Sequence, residues 1–567
     1  MKKSLLILLL TILPAIAWLI QPGFFPMHDD LQPMRQMQLE KCFKDWQIPC
    51  RWVPDMGYEY GYPLFNYYPP FPYYLGEIFR IFSFSYTNVV KIVGVLGFLA
   101  AAAGMYFLGR EFFGETGGIV SSLFYTYSPY HSVDYYVRGA VNEFWSQAFF
   151  PLAFLFSYKL ITGKNWKWIP LLSLSVAGIM LTHNPSLMIF VPGFMLWVLF
   201  WIIKSKKYKS FIPLAVSAVW ALGFAAFFTL PVLLETKYVS VWTLTSGYFN
   251  YLAHFLDLNQ IFFRINWGYG SSIYGPNDTM SLAIGYMQWI VPSLLMFLSL
   301  FIPKLRKLFW MTFLLFGLGL ISLFLTHSKA TPIWIILKPL EYLQFPWRFL
   351  TLVIFYFSFI SGAIVFVLPK GSLPTKALAS VGLALLLLLN ANYFHPRDWW
   401  PTYGDTDRFT GNNWQRMLTS SIFDYLPIYA KLPPTSPAPK NPETMEGLAD
   451  FKSAEKGSNY KSWNVDVEKK AILRAPIFDF PGMKVYVDGV VVNHWNDDCR
   501  NQEFCLGLVT FEIAQGHHDV LIKLTNTPIR TIGNLTTLIS FAVILVLLFP
   551  RNKQSLAIAK YFRKWLQ

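Results

Sequence analysis

Two adjacent carboxylates stand early in the chain, in His28-Asp29-Asp30. A pair like this can act as a general base, can hold a divalent cation such as Mg or Mn, or can do both. The same acids can also cap an amphipathic helix over 31–45, where Leu31, Met34 and Met37 fall on one face. Further ionisable residues crowd the outward boundary, in the loop after the first run and at the ends of later runs: Arg51, Asp55, Arg138, Glu143, His183 and Arg348. Near a bilayer such groups are functional candidates by default. Arg138 and Arg348 can each bind a phosphate or a lipid headgroup. His183, in Thr182-His183-Asn184-Pro185, is either a polar contact or part of a turn whose proline opens the next helix. Between Arg51 and Tyr74 the chain is dense in Tyr, Pro and Gly, and Tyr67 sits inside that run. The run reads either as an aromatic wall for a sugar or lipid, or as an interfacial belt.

The elements that must hold these residues are set by composition. Of 567 residues, 54% are hydrophobic and 14% charged, with a mean hydropathy of +0.38. A soluble chain carries about 25% charged residues, so this one cannot coat a water-facing surface of its size. With 21 Trp, 31 Tyr and 52 Phe, it reads as a polytopic membrane protein, not as a disordered, collagen-like, coiled-coil or ordinary cytosolic chain. The net charge of +15 is not a nucleic-acid signal. Residues 391–530 hold 15 basic and 17 acidic side chains, so the surplus lies among the apolar runs.

Twelve runs are candidates to cross a bilayer core of about 30 Å. They lie near 4–20, 88–108, 117–131, 143–162, 167–182, 185–203, 211–233, 286–302, 308–326, 348–368, 374–391 and 531–549. With both ends in the cytoplasm, the inner segments collect 20 Lys/Arg against Glu111 and Glu115, as the positive-inside rule requires. The expectation is a multi-pass protein of the cytoplasmic membrane with an extracytoplasmic active face. Lys2-Lys3, the apolar stretch and Ala15-Ile16-Ala17 also resemble a cleavable signal peptide; the uncleaved anchor is the preferred reading.

The domain reading is a transmembrane domain over 1–391 with an outer loop at 21–87, an outer linker at 392–447, a small antiparallel β-sandwich at 448–530, and a last span with a basic cytoplasmic tail at 531–567. Pro-rich sequence over 431–447 marks the linker. Period-2 runs at Trp463, Ala471, Lys484, Val509 and Asp519, with turn signals at Asp488-Gly489 and Gln515-Gly516, mark the sandwich. All four cysteines fall in the outer regions, Cys42 with Cys50 and Cys499 with Cys505. Such spacing suits two local disulfides in an oxidising compartment.

Taken in order, His28-Asp29-Asp30, Arg51-Trp-Val-Pro-Asp55, Gly61-Tyr-Pro-Leu-Phe-Asn66-Tyr-Tyr-Pro-Pro70, His183-Asn-Pro185, Gly275-Pro-Asn-Asp278, Gln344-Phe-Pro-Trp-Arg348, Pro481-Gly-Met-Lys-Val-Tyr-Val-Asp-Gly489 and Asn526-Thr-Pro-Ile-Arg530 resemble the GT-C superfamily of membrane glycosyltransferases. The closer resemblance is to its YfhO-type members, a group that includes proteins labelled as 6-pyruvoyl-tetrahydropterin-synthase-related membrane domains. The pterin-synthase label implies a soluble zinc enzyme with a His triad, and the sequence supplies no such triad. The superfamily resemblance implies a GT-C-like helical fold and an inverting transfer of sugar from a polyprenyl-phosphate donor to a glycan, lipid or protein acceptor of the cell envelope. It also implies a catalytic carboxylate in the first outer loop, Asp29 or Asp30. His28, Arg51, Tyr67, Arg138, His183 and Arg348 are then the expected substrate contacts. Two competing readings are a transporter or flippase for a lipid-linked saccharide, which tends to show internal repeats and midplane charges, and a non-catalytic membrane protein that binds polysaccharide.

Overall fold

The computed structural model describes residues 2–163, 165–264, 266–275, 278–367 and 373–548, without the side chains of Lys2 and of residues 373–379 and 547–548. The basic residues Lys164 and Lys370, the tail from 549 onward, the Pro276-Asn277 pair and the Lys376 side chain lie outside the described residues.

The apolar runs are helical. The helices are Lys2–Ile16, Tyr86–Thr126, Val141–Thr162, Trp168–Thr182, Asn184–Ser205, Phe211–Glu235, Tyr286–Leu298, Phe309–Thr326, Leu350–Ser361, Leu373–Asn390 and Pro528–Leu548. Among the described residues six stretches are long and apolar enough to cross a bilayer: Tyr86–Thr126, Asn184–Ser205, Tyr208–Tyr238, Phe309–Thr326, Pro346–Phe366 and Pro528–Val546. The run read as a span at 88–108, and the one at 117–131 as far as Thr126, lie in one 41-residue element, Tyr86–Thr126. It is broken at Gly114, whose φ of +76° is open to glycine and costly for other residues. The last helix, Pro528–Leu548, packs along Phe211–Glu235.

The entry to Tyr86–Thr126 is fixed from far away in sequence. The Asp405 carboxylate accepts from the main-chain N–H of Tyr86 at 2.8 Å and of Thr87 at 3.0 Å, and from the Thr87 hydroxyl at 3.0 Å. These are orphan donors of a helix start, and a carboxylate also suits the positive end of the helix dipole. Asp405→Ala should lower stability by about 1 kcal/mol, read as a lower midpoint of thermal unfolding in detergent. An unchanged midpoint would mean that the cap contributes nothing.

Beyond the membrane region the chain forms seven antiparallel strands: β1 Glu443–Lys456, β2 Tyr460–Phe478, β3 Met483–Val487, β4 Val490–Val492, β5 His494–Trp495, β6 Leu508–Ile513 and β7 Gly516–Leu524. The expected two-sheet sandwich is instead one continuous hydrogen-bonded sheet in the order β4-β3-β7-β2-β6-β5, with β1 on the other edge of β2. The reason is the length of β2. Its first half pairs with β7 and its second half with β6, so a single strand serves both wings. Alternate residues of β2 (Trp463, Val465, Val467, then Ala471, Leu473, Ala475 and Ile477) are buried, and they share one apolar core with Val485, Phe511 and Ile522. The sheet starts at Glu443, five residues before the expected boundary, because β1 is largely exposed and lacks apolar alternation.

The sheet is seated on the first outer loop. Asp55 accepts from Gln38 (2.7 Å) and Lys41 (2.5 Å), and also from Lys456 of β1 at 3.1 Å. Lys461 of β2 donates to the carbonyls of Glu59 (3.0 Å) and Pro476 (2.6 Å). The rings of Trp52, Tyr60 and Tyr67 pack against Phe478 and Phe480. The Tyr- and Pro-rich segment is therefore the bearing between the membrane region and the sheet. Cys42 is bonded to Cys50 and Cys499 to Cys505.

Candidate active site

The turn at 28–32 is laced to residues 137–139. His28 N–H donates to Val137 O and Asp29 N–H to Arg138 O, both at 2.9 Å, and Gln32 Nε2 donates to Gly139 O at 2.7 Å. Gly139 allows this approach: its φ is +63°, and a Cβ there would meet Met27 Sδ at 2.4 Å. A loop at the start of the chain and the segment opening the helix Val141–Thr162 thereby share one wall.

Asp29 is oriented by its own element. Its Oδ2 accepts from Arg35 Nη1 at 2.7 Å and from Gln32 Nε2 at 3.0 Å, both from the helix Gln32–Lys44. Arg35 also donates to Tyr68 Oη at 3.1 Å. Oδ1 has no hydrogen-bond partner among the described residues, and the side chain keeps 33% of its surface exposed. The helix is not capped by either aspartate: its N-cap is Leu31, with no side-chain bond. Asp30 turns the other way. It pairs with Arg416 at 2.5 Å and with Arg408 at 3.5 Å, so it tethers the linker.

The two carboxylates therefore do not converge on one point. Each already faces a guanidinium where a shared cation would have to sit. Among the described residues no three His, Cys, Asp or Glu side chains group to ligate a metal. The geometry does not fit the expected Asp29–Asp30 metal pair, and no step is derived through one.

Around Arg138 lies a buried polar cluster. A π-helical turn, Val133–Val137, sets Asp134 beneath Arg138. Such turns are frequent at functional sites. Arg138 Nη1 pairs with Asp134 and, at 3.0 Å, with Glu143 Oε2. Arg348 Nε reaches the same oxygen at 3.0 Å, and its Nη1 donates to Leu343 O at 2.7 Å. Tyr130 donates to Glu143 Oε1 and Gln147 to Asp134 Oδ2, each at 2.6 Å. The Arg138 guanidinium lies 4.3 Å above the Trp347 ring, a cation–π contact. Burial, and next the Glu143 carboxylate, push Asp134 well up toward its neutral form. Two guanidiniums, those of Arg138 and Arg348, meet at the single oxygen Glu143 Oε2. Nη2 of Arg138 and Nη2 of Arg348 donate to no protein group among the described residues, and neither atom is sealed from open space.

His183 caps the helix Asn184–Ser205, accepting from Ser186 N–H. Burial, then the Arg348 charge, hold it down to about 3. Its imidazole is thereby held in the neutral form at physiological pH and adds no positive charge beside Arg348. His28 keeps part of its surface exposed; the partial desolvation of its ring, with the charges of Arg138 and Arg397, lowers its pKa against the contact of Nε2 with Tyr269 O at 2.7 Å. The structure thus brings His28, Asp29, Arg138, His183 and Arg348 to one region. Arg51 and Tyr67 go elsewhere. Arg51 donates to Asn66 (3.2 Å) and Asn534 (2.7 Å), and Tyr67 donates to Glu235 O at 2.8 Å, all around the buried Glu235–Arg530 pair.

One residue that the sequence did not flag joins Asp29 from the linker. Asp424 is acted on by the charges of both Arg35 and Asp29, and burial pushes it up to about 6. The unfolded carboxyl titrates near 3.8, so the folded form holds the extra proton between those values. Stability from this group is therefore lost as pH rises through about 6. Asp424→Asn should raise the unfolding midpoint at pH 7.5 by about 1–2 kcal/mol equivalent and leave it unchanged at pH 4. An equal effect at both pH values would contradict the assignment.

Residues 65–395, more than half of the chain, match the family described as a 6-pyruvoyl-tetrahydropterin synthase related domain, a membrane protein. The chain belongs to this family. Its match takes in only the last part of the Tyr-rich bearing, from Phe65, together with the π-helical turn and the Arg348 segment, and begins after Asp29. An uncharacterized protein of Lactococcus lactis subsp. cremoris (strain MG1363) is 24% identical over 253 residues, which is 41% of this chain and 41% of that relative. The crystal structure of the Archaeoglobus fulgidus oligosaccharyltransferase in its apo form aligns with 77% of this chain and 62% of its own, at 14% identity and a TM-score of 0.43. The archaeal oligosaccharyltransferase AglB from Archaeoglobus fulgidus, in complex with an inhibitory peptide and a dolichol-phosphate, aligns with 78% of this chain and 61% of its own, at 14% identity and a TM-score of 0.41. The chain spans less than two thirds of the length of each of these proteins.

Proposed function

We propose that the protein is a membrane glycosyltransferase of GT-C type. It takes a sugar from a polyprenyl-phosphate donor at the extracytoplasmic face and transfers it to a cell-envelope acceptor with inversion. Asp29 is the general base. The observation that carries the reading is the lacing of 28–29 to 137–138, which joins a carboxylate with one open oxygen to a buried cluster with open guanidinium N–H groups.

Each group has one task. Asp29 Oδ1 takes the proton of the acceptor hydroxyl as that oxygen bonds to the anomeric carbon. The bond from the anomeric carbon to the phosphate oxygen breaks, and its electron pair leaves with the phosphate. The sugar passes through an oxocarbenium-like state. The departing phosphate gains negative charge, and the open N–H groups of Arg138 and Arg348 are suited to receive it without reorganising. Arg35 and Gln32 position the base, and neutral His183 serves as a dipole near Arg348. Twelve spans with both termini in the cytoplasm, and the two disulfides outside, complete the topology that this chemistry requires.

Mass analysis of envelope glycans from cells with and without the gene tests the reading. One sugar type or linkage should disappear from the glycans on deletion and return with the wild-type gene. Identical glycans in both strains would contradict it.

A further inference from the structure

A cleft of about 550 Å³, within the range of small-molecule sites, is lined in part by residues of the 26–30 segment. Met27 and Asp30 stand in its wall, and Asp29 does not line it. Its other walls come from the linker, and they combine flat rings with guanidiniums. Trp400 is 37% exposed, and its ring lies 5.0 Å from that of Tyr403. Its backbone is fixed by a two-way pairing with Phe24, at 3.0 and 2.9 Å. Arg397 lies 4.3 Å above the Tyr269 ring and spends only its Nε on a neighbour, Asp398. Arg416, with 57% of its side chain exposed, uses only Nη2, on Asp30. The remaining N–H groups of both arginines have no protein partner among the described residues. Asn413 donates to Tyr403 Oη at 3.3 Å and keeps that hydroxyl in place.

Rings on a fixed backbone, carboxamides and two forks with unused N–H groups are the chemistry of a sugar carrying a negative charge. The ring faces take the apolar side of the sugar, and the forks take a carboxylate or phosphate oxygen pair. We propose that this cleft is a subsite for an anionic saccharide, with its ring on Trp400 and Tyr403 and its acidic group between Arg397 and Arg416. His28 bonds to Tyr269 O and so links the subsite wall to the Asp29 turn. The role of the bound saccharide as acceptor rests on the glycosyl-transfer reading; the binding itself does not.

The test uses the full-length protein in phosphatidylcholine nanodiscs, with saturation-transfer NMR of two probes: cellobiose, and the disaccharide in which its non-reducing glucose is replaced by glucuronic acid. The acidic disaccharide should bind about tenfold tighter than cellobiose. Arg397→Gln should bring it down to the cellobiose level; among the described residues the Arg397 side chain hydrogen-bonds only Asp398 and lies over the Tyr269 ring, so the fold should tolerate the change. Trp400→Leu should weaken both probes by about tenfold. Equal affinity for the two probes, or an acidic probe displaced equally well by inorganic phosphate or by phosphatidylglycerol nanodiscs, would overturn the proposal. A protein that binds the acidic disaccharide in this way but transfers no sugar in any assay would sink the enzymatic reading and leave the subsite standing.

Discussion

Asp29→Asn is expected to lower sugar transfer by about 10³-fold, within the 10²–10⁴-fold usual for loss of a positioned base. The variant should fold as the wild type does, because an Asn side-chain oxygen still accepts from Arg35 and Gln32, the two groups that hold Oδ2. Asp30→Asn should change transfer by no more than about threefold. Asp30 faces Arg408 and Arg416, and its loss should instead loosen the linker. Two identical, adjacent residues thus receive opposite expectations from their orientation alone. A large loss from both replacements would return the pair to the joint role that the sequence allows.

The second large effect is on stability. Glu235 and Arg530 form a pair 2.8 Å apart, with side-chain exposures of 1% and 0%. Glu235 also accepts from Asn66 at 3.1 Å and from the Thr527 hydroxyl at 2.5 Å. Arg51 lies close by, pushed down to about 10 by burial and by the Arg530 charge. Two guanidiniums therefore depend on one carboxylate. Glu235→Ala leaves both charges uncompensated, and the cost should be about 3–5 kcal/mol. Arg530→Met combined with Glu235→Ala should be less damaging than Glu235→Ala alone, because one of the two uncompensated charges is removed and the repulsion between Arg51 and Arg530 goes with it. Thermal unfolding in detergent checks both. The network joins the first outer loop, the helix Phe211–Glu235 and the last helix, so its loss should also release the sheet from the membrane region. A double variant as damaged as the single one would mean that the pair acts through packing, not charge.

The elements were legible where physics writes them locally. Bilayer thickness demands long apolar runs, and these stand out in composition. The alternation in β2, β6 and β7 follows from burying one face of a sheet. β1 was missed because both its faces are largely exposed. The single sheet was missed because nothing in a strand's own pattern says that it is long enough to serve two wings.

The site was legible in part. A charged residue at the end of an apolar run is conspicuous, and this marked Asp29, Arg138 and Arg348. Their partners were not conspicuous. Arg408 meets Asp30 across 378 positions, and Glu235 meets Arg530 across 295. A contact of that separation leaves no trace in spacing. Arg51 and Tyr67 were drawn into the expected site because a Tyr-rich run looks the same whether its rings face a ligand or a neighbouring sheet. Asp424 carried no signal: it lies in a linker of ordinary composition, and only the fold brings it to Asp29.

The most direct measurement is transfer from a radiolabelled polyprenyl-phosphate hexose by purified wild-type, Asp29→Asn and Asp30→Asn proteins in nanodiscs, with envelope extract supplying the acceptor. Label should move to the acceptor with wild type and Asp30→Asn and stay on the lipid with Asp29→Asn. Label that moves equally well with Asp29→Asn, or with none of the three proteins, would contradict the assignment of Asp29 as the base.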